Sequence, residues 1–311
     1  EISEIGYGAW GNGGVQWLGS TDDESLRAVR RAIDLGLNFI DTPLAYGDGH
    51  SERLDGRIVR EPDLRIYVAT KVPPKNQLWP ARSGIDIDQV FPADDVVRCT
   101  EQSLRNLGLE VIDLQQLHVW NPEWLDRDDW RRAFEDLKRS GIVRAVGVSI
   151  NDHDPDSALE LIRTGLVDSV QVIYNIFDQS PEENLFPLAQ EFEVGVIARV
   201  PLDEGGLTGA ITRDTEFEPT DFRAGYFQGD RKREVENRVD ALREDLEGVP
   251  GTLAEIALRF CLSHPAVSTV IPGMRTVAHA ESNAAVSERG VLERETLEIL
   301  RRHAWTRNFY P

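Results

Sequence analysis

Lysine is nearly absent from this chain. Only Lys71, Lys75, Lys138 and Lys232 occur among 34 basic residues, against 54 acidic ones, for a formal charge of -20. So acidic a surface repels nucleic acid and anionic membranes and excludes both as partners. With arginine almost replacing lysine, the acid excess suits a protein kept soluble in concentrated salt, where repulsion is screened within about 3 Å at 1 M. A halophilic cytoplasm is therefore expected, and greatest stability at low ionic strength would overturn that expectation. Cysteine is scarce too: Cys99 and Cys261 each fall within an amphipathic helical pattern, which points to reduced, buried thiols. No CxxC or HExxH occurs and the six histidines are dispersed, so no metal site is expected. No apolar run approaches the roughly 18 residues needed to span a bilayer. No secretory signal is visible, and the chain begins at Glu1 in already strand-like sequence, as if trimmed. What remains is a soluble, cytoplasmic globular chain of 311 residues, 41% hydrophobic, expected to form a single domain over 1–311.

What is present is a rhythm. Short apolar runs at 4–8, 39–41, 65–70, 112–117, 145–149, 169–172, 195–198 and 269–271 alternate with helical patterns. Cap signals open and close the helices, with Thr21 and the stretch 92–95 at two starts and Gly36 and Gly108 at the matching ends. No GxGxxG turn follows the first strand. The pattern therefore predicts an α/β fold of the closed (β/α)8 TIM-barrel type and not a doubly wound open sheet. In such a barrel the active site lies at the C-terminal strand ends, where Asp41, Lys71, His118, Ser149 and Gln171 fall. Two long connections, 72–91 and 201–230, are expected to cover the pocket, since loops above about 12–15 residues commonly bind or close over ligands. Trp10, Trp79 and Trp120 are placed in loops at the mouth, and Arg223 in the second long loop is placed to approach a charged substrate.

The segment 36–56, GLNFIDTPLAYGDGHSERLDG, sets Asp41 and Tyr46 five residues apart just past a strand. A phenol with a pKa near 10 is protonated at neutral pH and can give its proton to an oxyanion. A lysine ammonium beside it favours the phenolate and would draw its pKa toward the working range, while an aspartate keeps the lysine charged and in place. A histidine adds an orienting hydrogen bond to a carbonyl oxygen. Together Asp41, Tyr46, Lys71 and His118 are equipment for carbonyl reduction, with hydride supplied by a cofactor.

These residues, with Gly47, Ser51-Glu52, VATK ending at Lys71 and Leu117-His118-Val119-Trp120, resemble the aldo-keto reductases over essentially the whole chain. Supporting segments are Ser103-Leu-Arg-Asn-Leu-Gly108, Gly147-Val-Ser149, Tyr174-Asn175, Pro201-Leu, Gly205-Gly-Leu-Thr-Gly209 and Ile271-Pro-Gly273. The resemblance implies a catalytic tetrad of Asp41, Tyr46, Lys71 and His118 with Tyr46 as general acid, and a nicotinamide dinucleotide held without a Rossmann fold. It implies that Ser149 and Gln171 hold the carboxamide and that Leu202, Gly206 and Leu207 cradle the pyrophosphate. Gly273, Met274, Arg275, His279 and Asn283 fall in the adenosine region, and the Trp10 and Trp120 regions line the substrate pocket. Four positions depart from the family pattern. Arg199 stands where an aromatic ring usually stacks on the nicotinamide, Ile150 stands for an asparagine, and Gly273 and His279 replace a lysine and an arginine of members that strongly prefer NADPH. Arg275 remains to grip a 2′-phosphate, so NADPH is expected, with NADH possible. The expected activity is reduction of small-molecule aldehydes and ketones by a monomer or small homo-oligomer. The alternative is a redox-sensing, cofactor-binding subunit of a larger assembly with slow catalysis, which a stable complex with a membrane partner would favour.

Overall fold

The computed structural model describes residues 1–14, 17–61 and 65–310. Eight parallel strands follow one another in chain order around one sheet. They are β1 (Tyr7–Gly8), β2 (Phe39–Asp41), β3 (Tyr67–Val72), β4 (Ile112–Leu117), β5 (Val143–Ser149), β6 (Ser169–Ile173), β7 (Gly195–Arg199) and β8 (Val267–Val270). Each lies on one of the apolar runs, with its ends displaced by at most three residues. The sheet closes through parallel bridges from Ile5 to Val270 and from Gly8 to Gly273, so residues 4–8 join the ladder although only Tyr7–Gly8 forms a regular strand. Gly6 N–H donates to the Val270 carbonyl at 2.8 Å and Val270 N–H to the Glu4 carbonyl at 2.9 Å. Closure this tight requires glycine: a Cβ at Gly8 would stand 2.6 Å from the Ile271 oxygen, and one at Gly6 2.8 Å from the Phe39 ring.

Helices wrap the outside of the barrel, and their starts follow the local sequence. The Thr21 hydroxyl accepts from Glu24 N–H at the head of helix Asp22–Asp34, whose buried positions Ser25, Ala28, Val29 and Ala32 repeat at helical spacing. Helix Ala93–Leu107 ends at Gly108 in the left-handed region, φ 65°, and helix Leu253–Leu262 opens with a reciprocal Thr252–Glu255 capping box. Cys99 and Cys261 lie on these two helices as buried free thiols.

Two cores result. The larger fills the space between barrel and helices. The smaller, Phe39, Ala69, Leu114, Ile197 and Ile271, is the barrel lumen. Strand side chains alternate faces with period two, so Phe39, Ala69 and Ile197 sit two residues before Asp41, Lys71 and Arg199, and Leu114 sits four before His118. The same inward rows are therefore apolar below and polar at their C-terminal ends. Burial of the larger of these side chains, about 1.5–3 kcal/mol each, makes a rigid floor for the polar layer.

Of the two long connections, 72–91 is tied down by Asn151, which accepts from Ala81 N–H at 3.0 Å and donates to its carbonyl at 3.1 Å. The other, 201–230, folds into a helical turn, Asp203–Thr208, and a short helix, Phe222–Tyr226.

Candidate active site

The C-terminal strand ends open into one cleft of about 1410 Å³. Asp41, Ser149 and Arg199 are the last residues of β2, β5 and β7, Lys71 and Gln171 lie within β3 and β6, and His118 follows β4 directly. Tyr46 reaches the cleft on a compact turn after β2, in which Tyr46 N–H donates to Pro43 at 3.0 Å and Gly49 N–H to Leu44 at 2.7 Å.

At the floor of the cleft, the Lys71 ammonium donates to Asp41 Oδ2 at 2.5 Å and the Gln171 amide to Asp41 Oδ1 at 2.9 Å. Both oxygens of the carboxylate are thus engaged. Asp41 and Lys71 are 2% and 1% exposed, so each charge depends on the other. Burial pulls the Lys71 ammonium below its ordinary range, and Asp41 opposes that pull. Lys71 Nζ lies 5.8 Å from the centre of the Tyr46 ring. That ring stacks on Trp10 at 6.0 Å and meets the edge of His118 at 6.1 Å, while Trp79 packs against His118 at 5.8 Å.

Electrostatics assign protonation states. Burial, then the charges of Lys71 and Arg199, hold His118 well below the usual imidazole range, so it is neutral, and its Nδ1 has no hydrogen-bond partner among the described residues. Burial and the Asp41 charge push the Tyr46 hydroxyl well above 10, and the charge that opposes them is Arg199. The net shift therefore runs opposite to the lowering expected from Lys71, because desolvation of the phenolate and the Asp41 charge outweigh Arg199. Tyr46 is a phenol throughout the neutral range.

Behind the Tyr46 turn lies a second polar layer. Thr42 and Ser51 hydroxyls share a hydrogen bond of 2.8 Å, and Asn12 donates to Asp55 at 3.3 Å. Asp55 is 0% exposed. Burial pushes its carboxyl up to about 7 against hydrogen bonds from Thr42, Asn12 and Ser51.

Ser149, Gln171, Arg199, Leu202, Gly273, Arg275, His279 and Asn283 all line the cleft, as do Trp10 and Trp79. Five expected residues do not: Lys71 lies just beneath the lining, buried against Asp41, and four others turn away. Trp120 is fully buried, donates its indole N–H to the Ser157 carbonyl at 3.1 Å and packs edge-on to Trp124 and Trp130. The chain leaves strand geometry after Leu117, and past that bend the Trp120 ring packs into the core between barrel and helices. Leu207 is buried in the core and Gly206 faces inward, where a Cβ would stand 2.7 Å from Asp203 Oδ2. Left-handed residues Asp203, Glu204 and Gly205 rotate this turn, so that Leu202, Glu204, Gly205 and Thr208 face the cleft instead. Met274 is also buried, its carbonyl accepting from the Tyr7 hydroxyl at 2.6 Å, while its neighbours Gly273 and Arg275 point to the cleft.

Sequence reading missed Asp152, Glu204 and Tyr310, which line the cleft. Arg199 donates to the Ile150 carbonyl at 2.9 Å and to Asp152 at 2.8 Å, with its Nε unpartnered. Tyr310 donates to Glu204 at 2.5 Å. Asp152 stands three residues past Ser149 and was open to discovery as a strand-end neighbour, whereas nothing local marks Tyr310. Arg223 does reach the cleft, held on Asp221 by two hydrogen bonds of 2.8 and 2.7 Å. It and Arg275 lie over the Trp17 indole at 4.5 and 5.3 Å.

The residues present fit a phosphorylated dinucleotide. Among the described residues His118 Nδ1 and Arg199 Nε have no hydrogen-bond partner, and both residues line the cleft. From the β8 side come Arg275 and helix Val277–Ala284, whose N-terminus favours an anion. No atom lies within 4 Å of a Cβ built at Gly273, so that stretch is open.

A model of the aldo/keto reductase family matches residues 4–304. The chain is similar to aldo-keto reductase YhdN of Bacillus subtilis (strain 168), 30% identical over 300 residues covering 92% of this chain and 86% of that protein. It is 26% identical over 319 residues to the NADH-specific methylglyoxal reductase of Escherichia coli (strain K12), covering 97% of this chain and 96% of that protein. It also resembles the structure of an aldo-keto reductase from Klebsiella pneumoniae in complex with NADPH, with TM-score 0.70, 26% identity and coverage of 99% and 94% of the two chains.

Proposed function

The chain belongs to the aldo/keto reductase family, and we propose that Tyr46 is the proton donor of its NAD(P)H-dependent carbonyl reduction. The observation that carries this is the placement of a phenol, kept protonated by burial, beside a Lys71–Asp41 ion pair and a neutral His118 in one cleft. A reduced nicotinamide held there would supply the hydride for the carbonyl carbon. As negative charge gathers on the carbonyl oxygen, the Tyr46 hydroxyl gives up its proton to it. The Lys71 ammonium, fixed by Asp41 and behind it by Gln171, stabilises the phenolate left behind. His118, neutral and therefore carrying one ring N–H, orients the carbonyl oxygen.

Ser149, Gln171 and Arg199 are assigned to the nicotinamide end of the dinucleotide, Leu202, Glu204, Gly205 and Thr208 to the pyrophosphate, and Gly273, Arg275, His279 and Asn283 to the adenosine. Arg275 favours NADPH over NADH, because a guanidinium can grip a 2′-phosphate through two hydrogen bonds. Trp10, Trp79 and Phe222 make aromatic walls suited to aldehydes and ketones of moderate size. Among the described residues no helix is long and apolar enough to cross a membrane. A single domain, acting in a salt-rich cytoplasm as a monomer or small homo-oligomer, completes the reading. The family match does not favour the redox-sensing subunit.

The test is oxidation of NADPH and NADH with a panel of aldehydes in molar KCl, wild type against Tyr46→Phe. Turnover is expected to fall by about 10²-fold or more with dinucleotide binding retained. Equal turnover in the variant would remove Tyr46 from this role.

A further inference from the structure

The turn after β7 holds an unusual concentration of left-handed backbone. Val200, Asp203 and Glu204 have φ of 54°, 51° and 53°, followed by Gly205 at 98°. A β-branched residue such as Val200 is strained there, and such conformations persist only where surrounding structure over-determines them. Part of that constraint is local to the barrel: the Asn175 amide, just past β6, donates to the Val200 carbonyl at 2.9 Å. The rest comes from the far end of the chain. Arg307 donates to Asp203 Oδ1, which the Tyr226 hydroxyl also reaches at 3.1 Å, and the Tyr310 hydroxyl donates to Glu204 Oε1 at 2.5 Å. Asp203 and Glu204 are 1% and 6% exposed, so these bonds are shielded from water and correspondingly strong.

The tail that supplies them is itself strapped down. Trp305 N–H donates to the Phe177 carbonyl at 2.8 Å, and Arg231 donates to the Phe309 carbonyl at 2.8 Å. The Arg307 guanidinium lies over the Trp305 and Phe309 rings at 4.4 and 4.7 Å. A hydrogen bond that held the turn against no strain would add little. Here the turn presents Leu202, Glu204, Gly205 and Thr208 to the cleft only because it is rotated.

We infer that the segment 305–310 is a clamp that holds the 200–208 turn in its dinucleotide-binding conformation, with Tyr310 and Arg307 as positioning residues. The inference rests on the reading of this cleft as a dinucleotide site. Tyr310 also lines the cleft, but its hydroxyl is spent on Glu204. Its effect on the reaction therefore runs through cofactor affinity and not through contact with the carbonyl compound.

Tyr310→Phe tests this. It removes one hydroxyl and leaves the ring against Tyr226, 5.0 Å away. Two readouts separate a clamp from a merely packed side chain. Amide hydrogen exchange at 202–208 in the ligand-free protein is expected to speed up, and the Kd for NADPH, from quenching of tryptophan fluorescence, to rise about tenfold, the scale of one buried hydrogen bond. Glu204→Gln keeps an acceptor for the Tyr310 hydroxyl and is expected to retain slow exchange. Unchanged exchange and Kd in Tyr310→Phe would overturn the clamp, and so would a rise in carbonyl KM with the NADPH Kd unmoved. Failure of the wild type to bind either dinucleotide would instead overturn the assignment of the cleft.

Discussion

On the β2–β4 side of the cleft, Asp41, Lys71 and His118 stand at strand ends within one stretch of chain, and Tyr46 hangs from the turn that leaves β2. On the β7 side, Glu204 lies on a left-handed turn and meets Tyr310 from a position 106 residues further along. The first side inherits its geometry from the sheet. Its lumen floor of Phe39, Ala69 and Leu114 fixes each strand, and the pleat decides which residue faces in. The second side lies beyond the sheet, and its turn is held by its own backbone hydrogen bonds together with long-range side-chain contacts. Proton-transfer chemistry, which requires placement within hydrogen-bond reach, sits on the templated side, while the turn proposed to bind pyrophosphate depends on contacts that a single hydroxyl can loosen.

The largest way to break this contrast is Lys71→Met. It leaves the Asp41 carboxylate buried without its cation, so a loss of about 3–5 kcal/mol in denaturant unfolding is expected, together with a turnover defect at least as deep as that of Tyr46→Phe. A fully stable variant would show that the strands, and not the ion pair, order this side.

A sharper measurement concerns Asp55, behind the Tyr46 turn. Its folded pKa of about 7 lies above the ordinary carboxylate value of 3.8, so the folded state retains a proton that the unfolded chain releases. Stability should then fall as pH rises from about 4 to 7, with the full penalty, up to about 4 kcal/mol, present above that window. Asp55→Asn is expected to flatten this slope and to be the more stable protein at pH 8. Parallel slopes for the two proteins across urea titrations at several pH values would refute it.

The smallest expected effect separates two tryptophans. Trp79 is 38% exposed at the cleft whereas Trp120 is fully buried. Trp79→Ala should raise KM for a bulky aldehyde several-fold while moving stability by less than about 0.5 kcal/mol. Trp120→Phe should leave that KM alone. The reverse pattern would return Trp120 to the substrate pocket.

Much of the barrel was legible because its signals are local. Eight apolar runs, the Thr21 cap and the Gly108 stop depend on neighbours within a few residues, and each is found in the fold. Asp41, Lys71 and His118 of the proposed tetrad were legible for the same reason, since a polar side chain at the end of an inward row has one place to go, and Tyr46 follows on the turn just past Asp41. The residues that stand away from the cleft lining have a common cause as well. Met274, Gly206 and Leu207 were placed by segment and not by face, and a segment of irregular backbone shows alternate residues to opposite environments. Trp120 was misplaced because a loop tryptophan can be drawn either to a mouth or to a core, and here Trp124 and Trp130 offered the larger apolar contact.

Sequence alone determined the βα rhythm, the barrel and the identity of the acid, phenol, amine and imidazole at its strand ends, because hydrophobic periodicity and capping act over a few residues. Only the tertiary structure decided that burial raises the Tyr46 pKa where a neighbouring lysine was expected to lower it, and that Arg307 and Tyr310 reach back to Asp203 and Glu204. Desolvation and long-range pairing are properties of the packed chain, and no stretch of sequence carries them by itself.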